Sequence, residues 1–540
     1  MHISRDGRPQ PFGRQIDVLA ARGPDSFVKR QVGHINLAFA RLAIVDPNAR
    51  SDQPFFGQED EDFLVFNGQI YNYLELKEEM AERRGIKFKT DSDTEVLYLG
   101  VRHFGKDFLR KVNGIFAFVY YNLQTRELLS ARDEFGVKPL YFYEGKDHLI
   151  FSSELRPIIE ITRAGLDTRE LAYFLATGTN YRHFSIYRDV KRVLPNQLIY
   201  SDARGSFQFQ KLYKEPRSAS GMTSSNEAIT EKVQIAIRSQ VPKQPFGLQL
   251  SGGIDSTVLL SALSKETGLR DIFSVDVNHA QMSESEWQKT ALGVLQSKQT
   301  HHMCVINAKD LSLTGLRDVC VDQDLPYFHP NYIGADQMAK KARSQGLKVL
   351  FSGEGADEIF GGYRWYRESV SNLTPLFYNK YSALCSIFGV EEYDMQYLHD
   401  MPKDEFFKRI YLQRWLTRSD LTGMKHGVEV RVPFLDRQLS ACVPTNPDLI
   451  CEGSIVKEPL KLMLKRAGFT ESFVERKKMG FDFPLNEWVG IEHETFVQNE
   501  RDFFDGSLTK KVLGTSSLGH FKNRLIFTLC SFAVWAHVAH

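Results

Sequence analysis

Phe246-Gly-Leu-Gln-Leu250-Ser251-Gly252-Gly253-Ile254-Asp255-Ser256-Thr257 is a short apolar run that ends in Ser-Gly-Gly and leads directly into Asp-Ser-Thr and the helix-like Val258-Leu-Leu-Ser-Ala-Leu263. The adjacent glycines let the backbone turn tightly and point several N–H groups into one concavity. That concavity opens on a helix N-terminus, whose dipole and unpaired N–H groups favour an anion. Ser251 and Ser256 add neutral hydroxyl donors, and Asp255 is a hard oxygen ligand suited to Mg2+. Such a loop suits a pyrophosphate group. The pattern GxxxxGK[ST] is absent, so transfer of a terminal phosphoryl group is not the natural reading.

The surrounding chain is that of a large two-domain protein. Its 540 residues are too many for one core. Apolar residues at 42% and charged residues at 25% are ordinary globular values, and a net charge of +1 gives no bulk reason to expect nucleic acid or an anionic membrane. The apolar run Leu525–Ala536 is too short to span a bilayer, and Met1 to Gly7 lack a signal core, so a cytoplasmic location is expected. The six cysteines lack CxxC spacing and suggest neither a zinc site nor a disulfide framework.

Up to about residue 205, short runs rich in aromatic and β-branched residues alternate with turns: 63–66, 114–120, 127–131 and 139–143. This predicts stacked antiparallel sheets. Residues 206–222 read as a linker around Glu215 to Gly221. From 223 to 540, strands alternate with helical patterns at 226–239, 286–296 and 331–344, before a strand at 348–351, as in a parallel α/β sheet followed by a mostly helical part.

Ser352-Gly353-Glu354-Gly355-Ala356-Asp357-Glu358 follows that last strand and is itself followed by Phe360-Gly361-Gly362. A parallel sheet would place this acidic loop on the same edge as the Ser-Gly-Gly loop, so Asp357 can join Asp255 around Mg2+. His301 and His302 are adjacent on a strand, point to opposite faces, and read as structural or surface histidines. Trp365 and Tyr366 read as core aromatics, with an acceptor pocket as the other option. The basic run Arg476-Lys477-Lys478 fits a solvated face and a nucleotide contact equally well.

SGGIDS looks like the PP-loop of the ATP pyrophosphatase superfamily. Together with SGEGADEIFGGY, Gly427-Val-Glu-Val-Arg-Val-Pro-Phe-Leu-Asp436, Lys457-Glu-Pro-Leu460 and Arg476-Lys-Lys-Met-Gly480-Phe481, it resembles glutamine-dependent asparagine synthetases. The resemblance implies formation of an acyl-adenylate from ATP and a carboxylic acid, aspartate by default, and its attack by ammonia or another amine. It implies ATP and Mg2+ as cofactors. Ser251, Gly252, Gly253, Asp255 and Ser256 would hold pyrophosphate, Val275, Ser352 and Gly353 the rest of the nucleotide, and Asp255 and Asp357 the metal. Lys457 would stabilise charge on the α-phosphate, and Glu354 would assist proton removal from the amine. β-Lactam synthetases carry a tyrosine at the place of Glu354, so intermolecular amidation is favoured over ring closure.

Residues 1–205 resemble the same family's glutaminase half, an N-terminal-nucleophile hydrolase with an antiparallel β-sandwich. The match runs through Arg22-Gly-Pro-Asp25, Arg41 to Asp46, Asn67-Gly-Gln-Ile-Tyr-Asn72, Ser92-Asp93 and Arg132 to Pro139. By resemblance Arg41, Asn67, Gly68 and Asp93 hold glutamine. Two departures stand out. The family's nucleophile is an N-terminal cysteine, whereas residue 2 is His and the first cysteine is Cys304. The match begins only at about Arg5 to Gly7. Gln69 replaces a glutamate that pairs with the α-ammonium of glutamine, and a neutral amide cannot make that charge-assisted bond. Loss of glutamine hydrolysis is the favoured reading. A mis-assigned start, leaving a complete glutamine-hydrolysing enzyme, would explain the missing cysteine and not Gln69. A non-catalytic nucleotide-binding relative is the remaining alternative, disfavoured by the intact Asp255, Asp357, Glu354 and Lys457. Expected partners are a small carboxylic acid and ammonia or an amine, with a separate ammonia source and a homodimer left open.

Overall fold

The computed structural model describes all residues except 6, 8–12, 58–60, 181, 203–204, 214–224, 364–369, 394–395, 444–456, 477–482, 516–517, 519–520 and 540. Two antiparallel sheets form the N-terminal part. One runs, in spatial order, Val190–Arg192, Tyr141–Glu144, His148–Ser152, His2–Ser4, Ile35–Arg41 and Ser26–Val32. The other runs Phe207–Lys211, Gln197–Ser201, Leu128–Arg132, Gly114–Asn122, Asp62–Ile70 and Phe55–Phe56. Period-two alternation explains their stacking. Along Gly114–Asn122, Ala117, Val119 and Tyr121 meet Ile35, Leu37 and Phe151 of the facing sheet, whereas Phe116 and Phe118 meet Val96, Leu97 and Val101 of the helix Asp93–Phe104. Helix Thr168–Thr177 covers the outer face of the first sheet.

Several boundaries differ from expectation: the strands expected at 63–66 and 114–120 run longer, Asp62–Ile70 and Gly114–Asn122, and the helix expected at 286–296 is Ser285–Val294. The run at 127–131 forms a strand at Leu128–Arg132, and that at 139–143 forms one at Tyr141–Glu144, after Pro139, which has no N–H to give a ladder. Phe207–Lys211 pairs with Gln197–Ser201, so the sheet passes residue 205 and takes the start of the expected linker 206–222. Its alternating Phe-Gln-Phe-Gln is a largely exposed edge strand. The rest of that linker, from 214, lies outside the described residues, as do Trp365, Tyr366, Lys477 and Lys478.

The second part contains a five-stranded, all-parallel sheet ordered Thr300–Ile306, Leu269–Val277, Phe246–Gln249, Val349–Phe351 and Glu429–Arg431. The chain steps outward from Phe246–Gln249 in one direction, then returns to add Val349–Phe351 on its other side. Phe246–Gln249 is therefore where strand order reverses, and a crevice opens beyond the carboxyl ends of these two central strands. Helices Asn226–Ser239, Ile254–Leu263 and Asn331–Ser344 flank the sheet. Beyond it, Val370–Phe388, Leu412–Lys425 and Lys522–Ala539 bury a second core containing Leu384, Phe407, Phe532 and Trp535. Among the described residues no helix is long and apolar enough to cross a membrane.

The halves meet through buried polar contacts. Arg22 forks onto Asp420 at 2.9 and 3.2 Å, Lys138 meets Glu429 at 3.3 Å, and Asn113 donates to Asp436 at 2.7 Å. Fully desolvated charges are tolerated only when so paired.

Candidate active site

Loop 250–253 leaves the central strand with Gly252 at φ +79°, where a side chain would press on the backbone of Trp287 and Gln288. Gly253 is the N-cap of helix Ile254–Leu263, so the N–H groups of that first turn face the crevice. The Ser251 and Ser256 hydroxyls lie 3.0 Å apart, and the Gly253 N–H donates to Ser251 Oγ at 3.2 Å. The second loop packs against the first: a Cβ on Gly353 would stand 3.0 Å from Asp255 Cβ. Ser352 is fixed by its N–H to the Arg431 carbonyl at 2.9 Å. Val275 is buried in the adjoining strand, and its carbonyl accepts from Gln288 at 3.0 Å.

The ammonium of Lys457 joins the two loops. It contacts Asp255 Oδ1 and Oδ2 at 2.5 and 2.6 Å and Asp357 Oδ1 at 2.6 Å, with its side chain 4% exposed. Lys457 is itself in the left-handed region, φ +60° and ψ +29°, immediately before the Pro-containing start of helix Glu458–Arg466. Such a conformation costs a non-glycine residue about 1 kcal/mol or more and here aims the side chain into the crevice. Gly362 lies against the same pair, since any Cβ there would collide with Asp357 and Lys457. Two carboxylates at the ends of adjacent parallel strands, next to the first-turn N–H groups of a helix, are a donor set that fits Mg2+.

Glu354 is held by partners that no motif announced. Arg418 donates to its Oε1, and the Ser419 hydroxyl lies 2.8 Å from both oxygens. Both come from helix Leu412–Lys425, and the next residue is Asp420, the partner of Arg22 in the first domain. The only signal in the sequence was the basic pair Arg414 and Arg418 at i,i+4 on one helix face. Arg476 was half-anticipated: it donates to the Gly252 carbonyl at 2.8 Å and lies over the Trp287 ring at 4.6 Å. His301 and His302 bond to Ser274 and Asp271 of the adjacent strand at 2.9 and 2.8 Å.

In the first domain Arg41, Asn67, Gly68, Gln69 and Asp93 line one cavity of about 160 Å³. Gly68 requires its φ of +141°, because a Cβ would strike the Ile115 carbonyl. Asn67 donates to Ser153 Oγ at 3.3 Å. Arg41 is occupied by Asp52 at 2.6 Å and the Asn48 carbonyl at 2.9 Å. Burial pushes the Asp93 carboxyl up to about 6, against the pull of the Ile70 N–H it accepts at 3.0 Å. Gln69 is committed elsewhere: its side-chain carbonyl accepts from Arg431, which also pairs with Glu429 at 3.0 Å.

A glutamine amidotransferase domain model matches residues 2–213, and an asparagine synthase model matches 226–536. Asparagine synthetase [glutamine-hydrolyzing] 1 of Bacillus subtilis (strain 168) is 28% identical, over 89% of this chain and 85% of its own. Asparagine synthetase B [glutamine-hydrolyzing] of Escherichia coli (strain K12) is 26% identical, over 90% and 81%. Among solved structures, the glutamine phosphoribosylpyrophosphate amidotransferase of B. subtilis overlaps 63% of this chain and 78% of its own at 14% identity and a TM-score of 0.28. With a synthase model spanning more than half its length and a glutamine amidotransferase domain ahead of it, the chain belongs to the asparagine synthase family of ATP-dependent ligases.

Proposed function

We propose that the chain activates a small carboxylic acid as its acyl-adenylate, releasing pyrophosphate, and that ammonia or another amine then displaces AMP to form an amide. The observation that carries this reading is the Lys457 ammonium seated between Asp255 and Asp357, beside the helix N-terminus of the Ser-Gly-Gly loop. The N–H groups after Gly252 and the Ser251 and Ser256 hydroxyls receive the β- and γ-phosphates. Asp255 and Asp357 would hold Mg2+, which would supply neutralisation of phosphate charge. Lys457 shifts from these carboxylates toward the α-phosphate and stabilises the charge that develops as the acid attacks it. Glu354, oriented by Arg418 and Ser419, takes the proton from the amine as the carbon–nitrogen bond forms. Aspartate is the acid that the family resemblance supplies.

Gln69 faces Arg431 with an amide where the family resemblance places a carboxylate for the α-ammonium of glutamine, which favours ammonia or another amine as the nitrogen source. The test is product analysis with Mg2+, ATP, ammonium and a panel of acids. AMP and pyrophosphate are expected with a competent acid, and ADP as the main product would overturn the reading.

A further inference from the structure

Helix Leu412–Lys425 carries both partners of Glu354, and the first domain grips that helix at three places. Near its start, Gln413 donates to the Phe135 carbonyl at 2.5 Å. In its middle, the Arg22 guanidinium forks onto Asp420 at 2.9 and 3.2 Å. Just past its end, a Cβ on Gly427 would stand 3.0 Å from the Pro24 ring. Asp25, next to Pro24, takes the Lys348 ammonium at 2.8 Å, at the foot of the strand that leads into the Glu354 loop.

Arg418, Ser419 and Asp420 are consecutive. Successive side chains of an α-helix point about 100° apart, so a rotation that took Asp420 off Arg22 would also swing Ser419 off Glu354. The Ser419 hydroxyl lies 2.8 Å from both Glu354 oxygens, and Arg418 donates to one of them. Hydrogen bonds of that length tolerate little displacement. The Arg22 and Asp420 side chains are 6% and 7% exposed, with Glu154 3.5 Å from Arg22 and Lys138 3.9 Å from Asp420. A buried ion pair adds little net stability over an apolar replacement. What a two-pronged guanidinium–carboxylate contact supplies is one fixed geometry.

We propose that Arg22 is a positioning residue for amide formation. Reaching across from the first domain, it fixes the rotation of helix Leu412–Lys425 through Asp420, and so holds Arg418 and Ser419 where they orient the Glu354 carboxylate toward the incoming amine. This rests on the amidation reading above and gives the first domain a part in the second domain's chemistry. Adenylation is assigned to the Ser-Gly-Gly loop, Asp255, Asp357 and Lys457, outside this chain of contacts. The two half-reactions therefore respond differently when Arg22 is changed.

The test compares Arg22→Met, Arg22→Lys and the paired change Arg22→Met with Asp420→Asn, each in the full chain. Arg22→Met should lower kcat for ammonium-dependent amide formation about tenfold or more, because a slight misplacement of a reacting group is costly. The KM for ATP and acid-dependent exchange of labelled pyrophosphate into ATP should stay within about threefold of wild type. Arg22→Lys should recover part of the rate. The paired variant removes both charges together, so it should fold and show the same defect. In a Glu354→Gln background, Arg22→Met should cost no more than about twofold further, since a residue that acts through Glu354 has nothing left to act on. Full additivity, equal loss of exchange and amide formation, or a wild-type rate in the paired variant would overturn the proposal. A readout without turnover separates it from the adenylation reading. Amide hydrogen exchange should quicken about threefold or more in both 412–425 and 352–358 of the folded Arg22 variants. Unaltered exchange at 352–358 would overturn the positioning role whichever nucleotide product forms, whereas ADP in place of AMP would break the adenylation reading alone.

Discussion

The synthase crevice and the first-domain cavity are each built from short motifs far apart in sequence, and in each the expected residues come together. They differ in where the polar groups are spent. Around Asp255 and Asp357 the partner is a lysine, which can move when phosphate arrives. Around Asn67 and Gly68 the partners are structural: Gln69 is bound by Arg431, and Arg41 by Asp52 and a backbone carbonyl. The first arrangement keeps charge available for a ligand. The second ties one wall of the pocket into the seam between domains.

The sharpest way to break this contrast is Asp255→Ala. It should lower ATP-dependent amide formation by a thousandfold or more, beyond the usual cost of one lost electrostatic contact, with the circular dichroism spectrum unchanged. Residual activity near the wild-type rate would remove the crevice from the reaction. Next in size is Glu354→Gln, expected to slow amide formation by about a hundredfold, the scale of a positioned general base. Acid-dependent exchange of labelled pyrophosphate into ATP should survive much better, and equal loss of both would move Glu354 into the adenylation step.

The first-domain cavity is probed by pH. The raised folded pKa of Asp93 means the folded state binds more protons than the unfolded one between about 4 and 6, so ionising this carboxyl costs stability as pH rises through that window. Asp93→Asn removes the titration. Its stability relative to wild type should therefore improve by up to about 3 kcal/mol between pH 4 and pH 7, read from urea unfolding at each pH. A flat difference would contradict the raised pKa. The smallest effect is expected from Gln69→Glu. The ammonium-dependent rate should stay within about twofold, because the change touches the seam and not the crevice, and glutamine should still release no glutamate for want of a thiol. Glutamate release coupled to product would reverse the comparison.

Much of this was legible in the sequence, for identifiable reasons. Period-two runs located the sandwich, and a strand–Gly-Gly–helix pattern located the crevice, because both signals are local. Asp255 and Asp357 could be paired in advance, since parallel strands put both loops on one edge. Lys457 was legible only through resemblance: nothing in Lys-Glu-Pro-Leu reveals a left-handed residue aimed at two carboxylates. Arg418 and Ser419 were missed because their role is set by the packing of a helix 64 residues beyond Glu354 in the chain. The commitment of Gln69 was likewise invisible, since Arg431 reaches it from the other domain, 362 residues away.

Lys457 also bears on how the empty enzyme keeps its shape. Asp255 and Asp357 would repel each other if left facing alone, and the loops that carry them would drift apart. A covalently tethered ammonium is present at an effective concentration no dissolved cation matches. It acts as a built-in counter-ion that keeps the crevice assembled between turnovers. On the proposed reaction it would also set an order of events, the carboxylates being released once Lys457 turns to the triphosphate. Replacing the lysine would thus disturb the resting geometry as well as the reaction, and a neutral residue there should leave a looser, more protease-sensitive pair of loops before any substrate is added.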